Sequence, residues 1–296
     1  NNLTLGSGSD NATTSKTGTG DIEVKGALTV SSGHTLEASS QIWNLSGSGT
    51  PLVVNGVLDA QTSLFKYTGS SNSNVVAVDY YRLELVPGSG SPVYTMQSGN
   101  LNCADYIYVG DSTNSVSVTA ATQDPTLDIE GDFEIRSNAT FTASDINQAS
   151  IGGSWSNSGA FLHNSGSFLF DTSSSGQTIN SGGDSFYNLE LNNSLGGWTI
   201  QNSNLLAEND FALNSASSFT LDNGLTLETR GEFTNLVGGA STTWSGTTLY
   251  LNKTGGGSYA VNTKSAGGDS YATLQIGADT DVRIWNSSAL NYSVDS

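Results

Sequence analysis

Apolar and polar residues alternate over short stretches of this chain. Leu127, Ile129, Phe133 and Ile135 are apolar, and the positions between them are acidic or Gly. Successive side chains of a β-strand point to opposite faces, so this alternation predicts strands with one buried and one solvent-facing side. Similar stretches recur along the chain. Turn-forming residues interrupt them at intervals of roughly 8–12 residues, as in all-β folds. The pattern predicts an all-β protein.

Longer repeats are superimposed on this alternation. Residues 80–85 (YYRLEL), 186–191 (FYNLEL) and 271–276 (YATLQI) match one another, and the second and third copies each follow Gly-Gly-Asp-Ser. A repeated segment of this kind is the sequence signature of stacked architectures. The matches predict one elongated β-repeat rod over residues 1–296, with approximate units 1–79, 80–185 and 186–270 and a partial unit 271–296.

Two architectures accommodate units of this size. One is a parallel β-solenoid built of short strands, with about 20 residues in each coil and about fourteen coils in all. The other is a row of tandem β-sandwich domains, which typically have about 100 residues each. The short strands and the close spacing of the turns favour the solenoid, because stacked coils need only a modest apolar content.

Composition excludes several classes of protein. Gly, Ser, Thr and Asn make up 141 of the 296 residues, and 9 basic residues face 27 acidic ones, for a net charge of -18. Nucleic-acid binding needs clustered Lys and Arg, so no nucleic-acid partner is expected. A membrane span is not expected, because there is no apolar run of about 18 residues. The single Cys103 excludes a disulfide scaffold.

The beginning of the chain and its small polar residues predict a location outside the cell. The first residue is Asn1, and no basic and apolar leader precedes it. We therefore expect a processed or truncated product that is secreted or displayed at the cell surface.

Residues 166–192 resemble the tandem repeats of large bacterial and archaeal secreted surface proteins. The resemblance lies in the run SFLFD, the segment QTI and the following FYNL, together with the Gly, Thr and Asn residues around them. It implies a β-solenoid repeat region of an adhesin-like or structural protein, and it concerns architecture more than activity.

Enzymatic chemistry finds little support in the sequence, and we expect no enzyme. Gly-Asp-Ser occurs at residues 110–112, 183–185 and 268–270, but the last two copies occupy the same point of a repeat. The two histidines and Cys103 are too widely separated to predict a zinc site. His34 is predicted to be a turn or surface residue. A β-helix polysaccharide lyase or hydrolase remains the enzyme alternative, and it needs paired carboxylates on one face.

One acidic row is the strongest candidate for such a face. Asp128, Glu130, Asp132 and Glu134 are predicted to point outward together, followed by Arg136. A solvated strand face is the main interpretation. Weak Ca²⁺ binding is the second, since Ca²⁺ prefers carboxylate oxygens, and no other cofactor is expected. A bulge at Gly131 would break the alignment of the row.

Two further sets of residues carry weaker predictions. Eight Asn-x-Ser/Thr sequons are present, about the number expected by chance, and Asn11 and Asn138 are the best candidates for glycosylation because they occupy predicted turns. The five tryptophans are expected to pack inside the rod, although a glycan-binding module would expose them instead.

The ends of the rod suggest how the chain assembles. No capping helix is evident at either end, and the last coil of a solenoid exposes unpaired backbone groups. A head-to-tail contact of this kind does not close and so builds a filament. We therefore expect an extracellular structural protein whose partner is another copy of itself, either as a filament or fibre subunit or as an adhesin stalk. Surface glycans are a further expected partner, and a glycan-binding module is an alternative function.

Overall fold

A computed structural model describes residues 1–6, 11–16, 18, 20–253, 257–263, 271–278 and 280–285, and only the backbone of 257–263 and 281–285. All regular elements in these ranges are β-strands, and they form about 11 turns of a parallel β-solenoid. The predicted all-β class and the solenoid are therefore confirmed. The pairings within each part of the chain are parallel, unlike the antiparallel pairs of β-sandwich domains.

The strands are, in chain order, β1 (Leu3–Leu5), β2 (Ala12–Ser15), β3 (Ile22–Val24), β4 (Leu28–Val30), β5 (His34–Glu37), β6 (Ile42–Leu45), β7 (Leu52–Val54), β8 (Val57–Asp59), β9 (Leu64–Tyr67), β10 (Ser73–Val75), β11 (Asp79–Leu85), β12 (Val93–Met96), β13 (Asn100–Val109), β14 (Val116–Thr119), β15 (Thr126–Ile129), β16 (Asp132–Ile135), β17 (Ala139–Thr142), β18 (Ala149–Ile151), β19 (Trp155–Asn157), β20 (Ala160–Leu162), β21 (Ser167–Phe170), β22 (Gln177–Asn180), β23 (Asn188–Asn192), β24 (Gly197–Ile200), β25 (Leu205–Ala207), β26 (Phe211–Ser215), β27 (Ser218–Leu221), β28 (Thr226–Thr229), β29 (Phe233–Asn235), β30 (Thr242–Thr243), β31 (Thr248–Leu251), β32 (Gly257–Thr263), β33 (Thr273–Ile276) and β34 (Thr280–Trp285).

The chain divides into two compact units. The first comprises Asn1–Ile151 and Ser156–Gly166, and the second comprises Gly152–Trp155 and Ser167–Ser296. The first unit contains the sheets β1-β4-β7, β2-β5-β8 and β10-β12-β14-β17-β20, and a longer sheet through β3, β6, β9, β11 and β13 to β15 and β16. The second contains β22-β24-β27-β30, β25-β28-β31-β33, and a sheet from β21 through β23, β26, β29 and β32 to β34.

Each coil consists of three short strands joined by corners. In the second unit, Leu189 of β23 pairs with Phe211 of β26, and Phe211 pairs with Phe233 of β29, so two successive coils have the same length. In the first unit, Leu3 pairs with Leu28, which corresponds to a slightly longer coil. The coils of both units are longer than the roughly 20 residues that the sequence predicts, which is why the structure has about 11 turns and not fourteen.

The interior contains aromatic rings stacked from coil to coil. The rings of Trp43 and Phe65 lie 5.9 Å apart at an interplanar angle of 7°, and those of Phe211 and Phe233 lie 5.8 Å apart at 11°. Parallel in-register pairing places like residues directly above one another, so the rings pack face to face. Interior packing is confirmed for four tryptophans, which are all buried: Trp43, Trp155, Trp198 and Trp244. The side chain of Trp285 lies outside the described residues.

His34 corrects one sequence interpretation. The sequence predicts a turn or surface residue, but His34 begins β5 and is only 5% exposed. A Cβ atom on Gly6 would lie 2.2 Å from the His34 Nδ1 atom, so the imidazole fills the space that a side chain at position 6 would need. The missing side chain of a glycine one coil away is what lets the ring pack inward.

The described residues form no helix. They therefore contain no helix that is long and apolar enough to cross a membrane.

Three buried tyrosines predict a loss of stability at alkaline pH. The Tyr67 and Tyr80 hydroxyl oxygens lie 3.1 Å apart, and the Tyr80 hydroxyl donates to the Val76 carbonyl oxygen. Burial raises the pKa of Tyr67 to about 12, and it raises the pKa of Tyr80 and Tyr94 as well. The folded state therefore favours the neutral phenol, whereas the unfolded chain ionises near pH 10.

The contribution of neutral Tyr67 to stability is complete below pH 10 and is lost as pH rises to about 12. Over that window we expect the free energy of unfolding to fall by roughly 3 kcal/mol for this group. Urea unfolding at several pH values measures it. Tyr67→Phe removes the ionising group and should flatten the decline, and an equally steep decline in that variant would contradict the assignment.

Candidate functional site

Charged and aromatic side chains are concentrated on one outward face of the first unit. This face belongs to β9, β11, β13 and β16. Its outward side chains are larger than the Thr, Ser and Asn residues that face outward on many other strands. Three of the nine basic residues of the chain lie here. We call this set the tyrosine–arginine patch, and its members are Lys66, Arg82, Glu84, Tyr106, Tyr108, Glu134 and Arg136.

The parallel register brings the centre of the patch together. Lys66 pairs with Glu84, Glu84 with Tyr108, and Tyr108 with Glu134, so these four residues form one row across neighbouring strands. Neighbouring strands lie about 4.8 Å apart. Side chains that are distant in sequence are therefore adjacent on the surface.

Every cation of the patch has a carboxylate partner. Lys66 Nζ lies 2.7 Å from Glu84 Oε2, Arg136 Nη2 lies 3.0 Å from Glu134 Oε2, and Arg82 Nε lies 3.4 Å from Asp105 Oδ2. These groups are partly exposed, so each pair contributes at most about 1 kcal/mol. The pairs neutralise the charge locally and hold the long side chains against the sheet.

The two tyrosines are stacked within this network. The rings of Tyr106 and Tyr108 lie 4.0 Å apart at 15°, and the guanidinium carbon of Arg136 lies 4.4 Å from the centroid of the Tyr108 ring. The Tyr108 ring thus stacks on Tyr106 and also makes a cation–π contact with Arg136. The Tyr106 hydroxyl donates to Glu84 Oε1 at 3.3 Å.

The Tyr106 hydroxyl remains a proton donor at all ordinary pH values. Burial, together with the charge of Glu84, raises the pKa of Tyr106 to about 12. The patch therefore combines neutral phenols with carboxylates that accept hydrogen bonds and guanidinium groups that donate them. This set of groups suits hydroxyl-rich ligands.

The acidic row predicted from the sequence borders this patch. Asp128, Glu130 and Asp132 are exposed and Glu134 is half-buried, and of the four Glu134 joins the row with Tyr108. Gly131 forms the corner between β15 and β16, and β13 pairs with both strands, so the row runs around a corner and is not a single flat strand.

The calcium site at these carboxylates stays a prediction. Among the residues that the structure describes, no group of three His, Cys, Asp or Glu side chains could hold a metal ion. The ion pair of Glu134 with Arg136 already uses one of its carboxylate oxygens.

The other candidate residues lie in turns or at strand ends. Asn11 is exposed just before β2, and Asn138 is exposed with a φ of 65° and donates from Nδ2 to the Ser112 carbonyl oxygen at 3.1 Å. Glycosylation at either residue stays a prediction. Gly-Asp-Ser at 110–112 and 183–185 lies in turns, and the copy at 268–270 lies outside the described residues.

Cys103 is buried, which raises the pKa of its thiol to about 12.

Sequence reasoning missed most of the tyrosine–arginine patch. Tyr106 and Tyr108, like Glu134 and Arg136, are two positions apart and so share a strand face, and this signal was readable. It also missed a network in the second unit, where Arg230 Nη1 lies 2.6 Å from Glu208 Oε2 and Arg230 Nε lies 2.9 Å from Glu228 Oε1.

Comparison of the chain with protein-family models, with curated proteins and with solved structures gives no match.

Proposed function

We propose that this chain is an extracellular structural protein, a β-solenoid stalk of a surface filament, fibre or adhesin. The observation that carries the proposal is the parallel stacking within each unit, in which apolar residues pack on apolar residues of the next coil. Each coil needs only its neighbours to bury its interior, so a stalk can be lengthened coil by coil. The resemblance of residues 166–192 to surface-protein repeats supports the same function.

The outward residues suit a stalk that is exposed to solvent. Threonines form rows across neighbouring strands. One row in the second unit pairs in register and consists of Thr178, Thr199, Thr220 and Thr243. Threonine favours strands, and its small polar side chain tolerates water. Some of the larger charged groups are held in ion pairs, as at Lys66 with Glu84.

Assembly with further copies of the chain belongs to this proposal. A parallel ladder can be continued by the coils of another molecule, because each coil offers backbone donors and acceptors at the same spacing. Such a contact is heterologous and propagates as a filament.

Immunogold electron microscopy of intact cells that produce the protein tests the proposal. We expect gold label at the cell surface, on filaments or fibres, without permeabilisation. Label that is seen only after the cells are permeabilised would contradict an extracellular role. Preimmune serum, and an antibody to a cytosolic protein of the same cells, serve as controls.

The tyrosine–arginine patch favours a second candidate, contact with surface glycans. Carboxylates accept hydrogen bonds from sugar hydroxyls, and aromatic rings pack against sugar rings. The patch offers the carboxylates of Glu84 and Glu134 and the aromatic ring of Tyr106. Binding to a panel of soluble polysaccharides should fall about tenfold in Tyr106→Ala. It should be unchanged in Tyr250→Ala, a half-buried tyrosine on β31.

Binding of none of the polysaccharides would contradict the glycan candidate. Release of shortened products during the same incubation would support the enzyme alternative and contradict a purely structural role.

A further inference from the structure

Two sheets of the first unit contain no charged residue in their strands, and the larger of them has five strands. The strands β10, β12, β14, β17 and β20 pair side by side, and none of their residues is Asp, Glu, Lys or Arg. The three-stranded sheet β1-β4-β7 of this unit is uncharged as well. Other surfaces of the unit carry charge, because β5 ends at Glu37, β8 ends at Asp59 and the tyrosine–arginine patch covers another face. The sheet of β10, β12, β14, β17 and β20 is the larger of the two uncharged sheets of this unit, in a chain with a net charge of -18.

The outward side chains of this sheet form a regular array. The aromatic rings of Tyr94, Phe141 and Phe161 point inward and are buried. The residues on either side of them point outward in two columns that follow the register. The first column is Val93, Ser117, Thr140 and Ala160, and the second is Thr95, Thr119, Thr142 and Leu162. We call these eight residues the threonine face.

The threonine face exposes apolar groups at its two ends. Val93 is 36% exposed and Leu162 is 53% exposed, whereas the centre holds small hydroxyl side chains. The face thus has two raised apolar side chains and a low, nearly flat middle. The inward direction of its aromatic rings leaves no ring on which a sugar could stack.

We propose that the threonine face pairs laterally with the threonine face of a second copy of this chain. Two molecules that each carry a charge of -18 repel one another, and the repulsion between facing groups is smallest where neither face carries a charge. The pairing adds a lateral partner to the end-to-end partner of the proposed structural function. Its use in a fibre rests on that proposed function.

Side-chain size makes the face complementary to itself. Face-to-face pairing about a two-fold axis that runs parallel to the strands between β14 and β17 keeps each column and reverses the order of the strands. Val93 then faces Ala160 of the second copy, and Leu162 faces Thr95 of the second copy. Each large side chain meets a smaller one. Each contact occurs twice, as in every isologous interface.

The contact between two such faces is small. Four strands about 4.8 Å apart and about four residues long cover roughly 250 Å². A standard stable interface covers about 800 Å² on each partner. A single pairing is therefore weak, and it becomes effective when many copies are held close together, because a high local concentration favours each contact.

Cross-linking of purified full-length protein tests the pairing. Val93→Cys protein is mixed with Ala160→Cys protein at high concentration and treated with a short bismaleimide, which joins two nearby thiols. We expect the mixed dimer to exceed the dimer formed by Val93→Cys protein alone by at least fivefold. Cys103 is buried and contributes little background, as wild-type protein will show.

A matched pair of lysine variants tests whether the face itself is responsible. Thr119→Lys places a charge at the centre of the face and should reduce the cross-linked dimer about tenfold, because the contact would bury that charge without a partner. Thr35→Lys makes the same change on the outward side of β5, in a sheet that already carries Glu37 and Asp59, and should leave the yield unchanged. Circular dichroism checks that both variants are folded.

Ionic strength gives an independent readout. Salt screens the repulsion between two acidic molecules, so the yield of mixed dimer should rise between low salt and about 0.5 M salt. Equal yields from the mixture and from Val93→Cys protein alone, or equal losses in the two lysine variants, would overturn the pairing. These assays use purified protein, so their failure would leave the surface-location test untouched, and failure of that test would leave the pairing standing.

Discussion

Replacing Phe186 by alanine should lower the free energy of unfolding of the second unit by about 3–5 kcal/mol. The Phe186 side chain is fully buried, and its ring contacts those of Trp155 at 5.3 Å, Phe168 at 5.5 Å and Phe170 at 6.2 Å. Truncation removes all three ring contacts and leaves a cavity that a backbone fixed by parallel ladders cannot readily close.

Urea unfolding followed by circular dichroism measures this loss. Leu195→Ala is the matched control, because it removes a large apolar side chain that is 65% exposed in a turn of the same unit. Its effect should stay within about 0.5 kcal/mol. Similar losses in the two variants would show that the aromatic cluster is not what stabilises these coils.

The second large effect is expected from Gly131→Ala. A Cβ atom on Gly131 would lie 1.5 Å from the Asp105 carbonyl oxygen of the neighbouring coil. Backbone cannot move aside as a flexible side chain can, so the corner between β15 and β16 would have to shift. Overpacking typically costs about 1–3 kcal/mol and occasionally more, and at this distance we expect about 3 kcal/mol or more.

Gly88→Ala is the control for this substitution. A Cβ atom there would lie 3.4 Å from the Thr68 carbonyl oxygen, which is ordinary van der Waals contact. Thermal and urea unfolding should show no loss of stability for Gly88→Ala. A Gly131→Ala protein as stable as wild type would mean that this corner can relax without breaking the ladder between β13 and its neighbours.

The alternation of residue types predicted more of the fold than the long repeats did. Leu127, Ile129, Phe133 and Ile135 are all buried, and the acidic residues between them face solvent, as expected from the period of a strand. The repeat copies at 186–191 and 271–276, in contrast, end in different sheets, since Leu189 belongs to β23 and Leu274 to β33. Stacking follows the coil length, and not the spacing of these copies.

The candidate site was predictable only in part. The acidic row was found because its members are close in sequence. The partners of Glu134 were not found, because the steps from Lys66 to Glu84, to Tyr108 and to Glu134 are unequal and follow no constant period. Corners of varying length change the spacing from coil to coil, and no single repeat length can anticipate which side chains meet.

The amino-acid sequence by itself determined the strand-rich character of this chain, which side of each strand is buried, and the location of its turns. These properties depend on neighbours close by in the chain, where the backbone geometry of a strand is decisive. Only the tertiary structure decided the coil length, the inward packing of His34, the tyrosine–arginine patch and the uncharged threonine face. Those features depend on contacts between successive coils, such as Leu3 with Leu28 and Leu189 with Phe211, and their register is set by the corners and by packing in the shared interior.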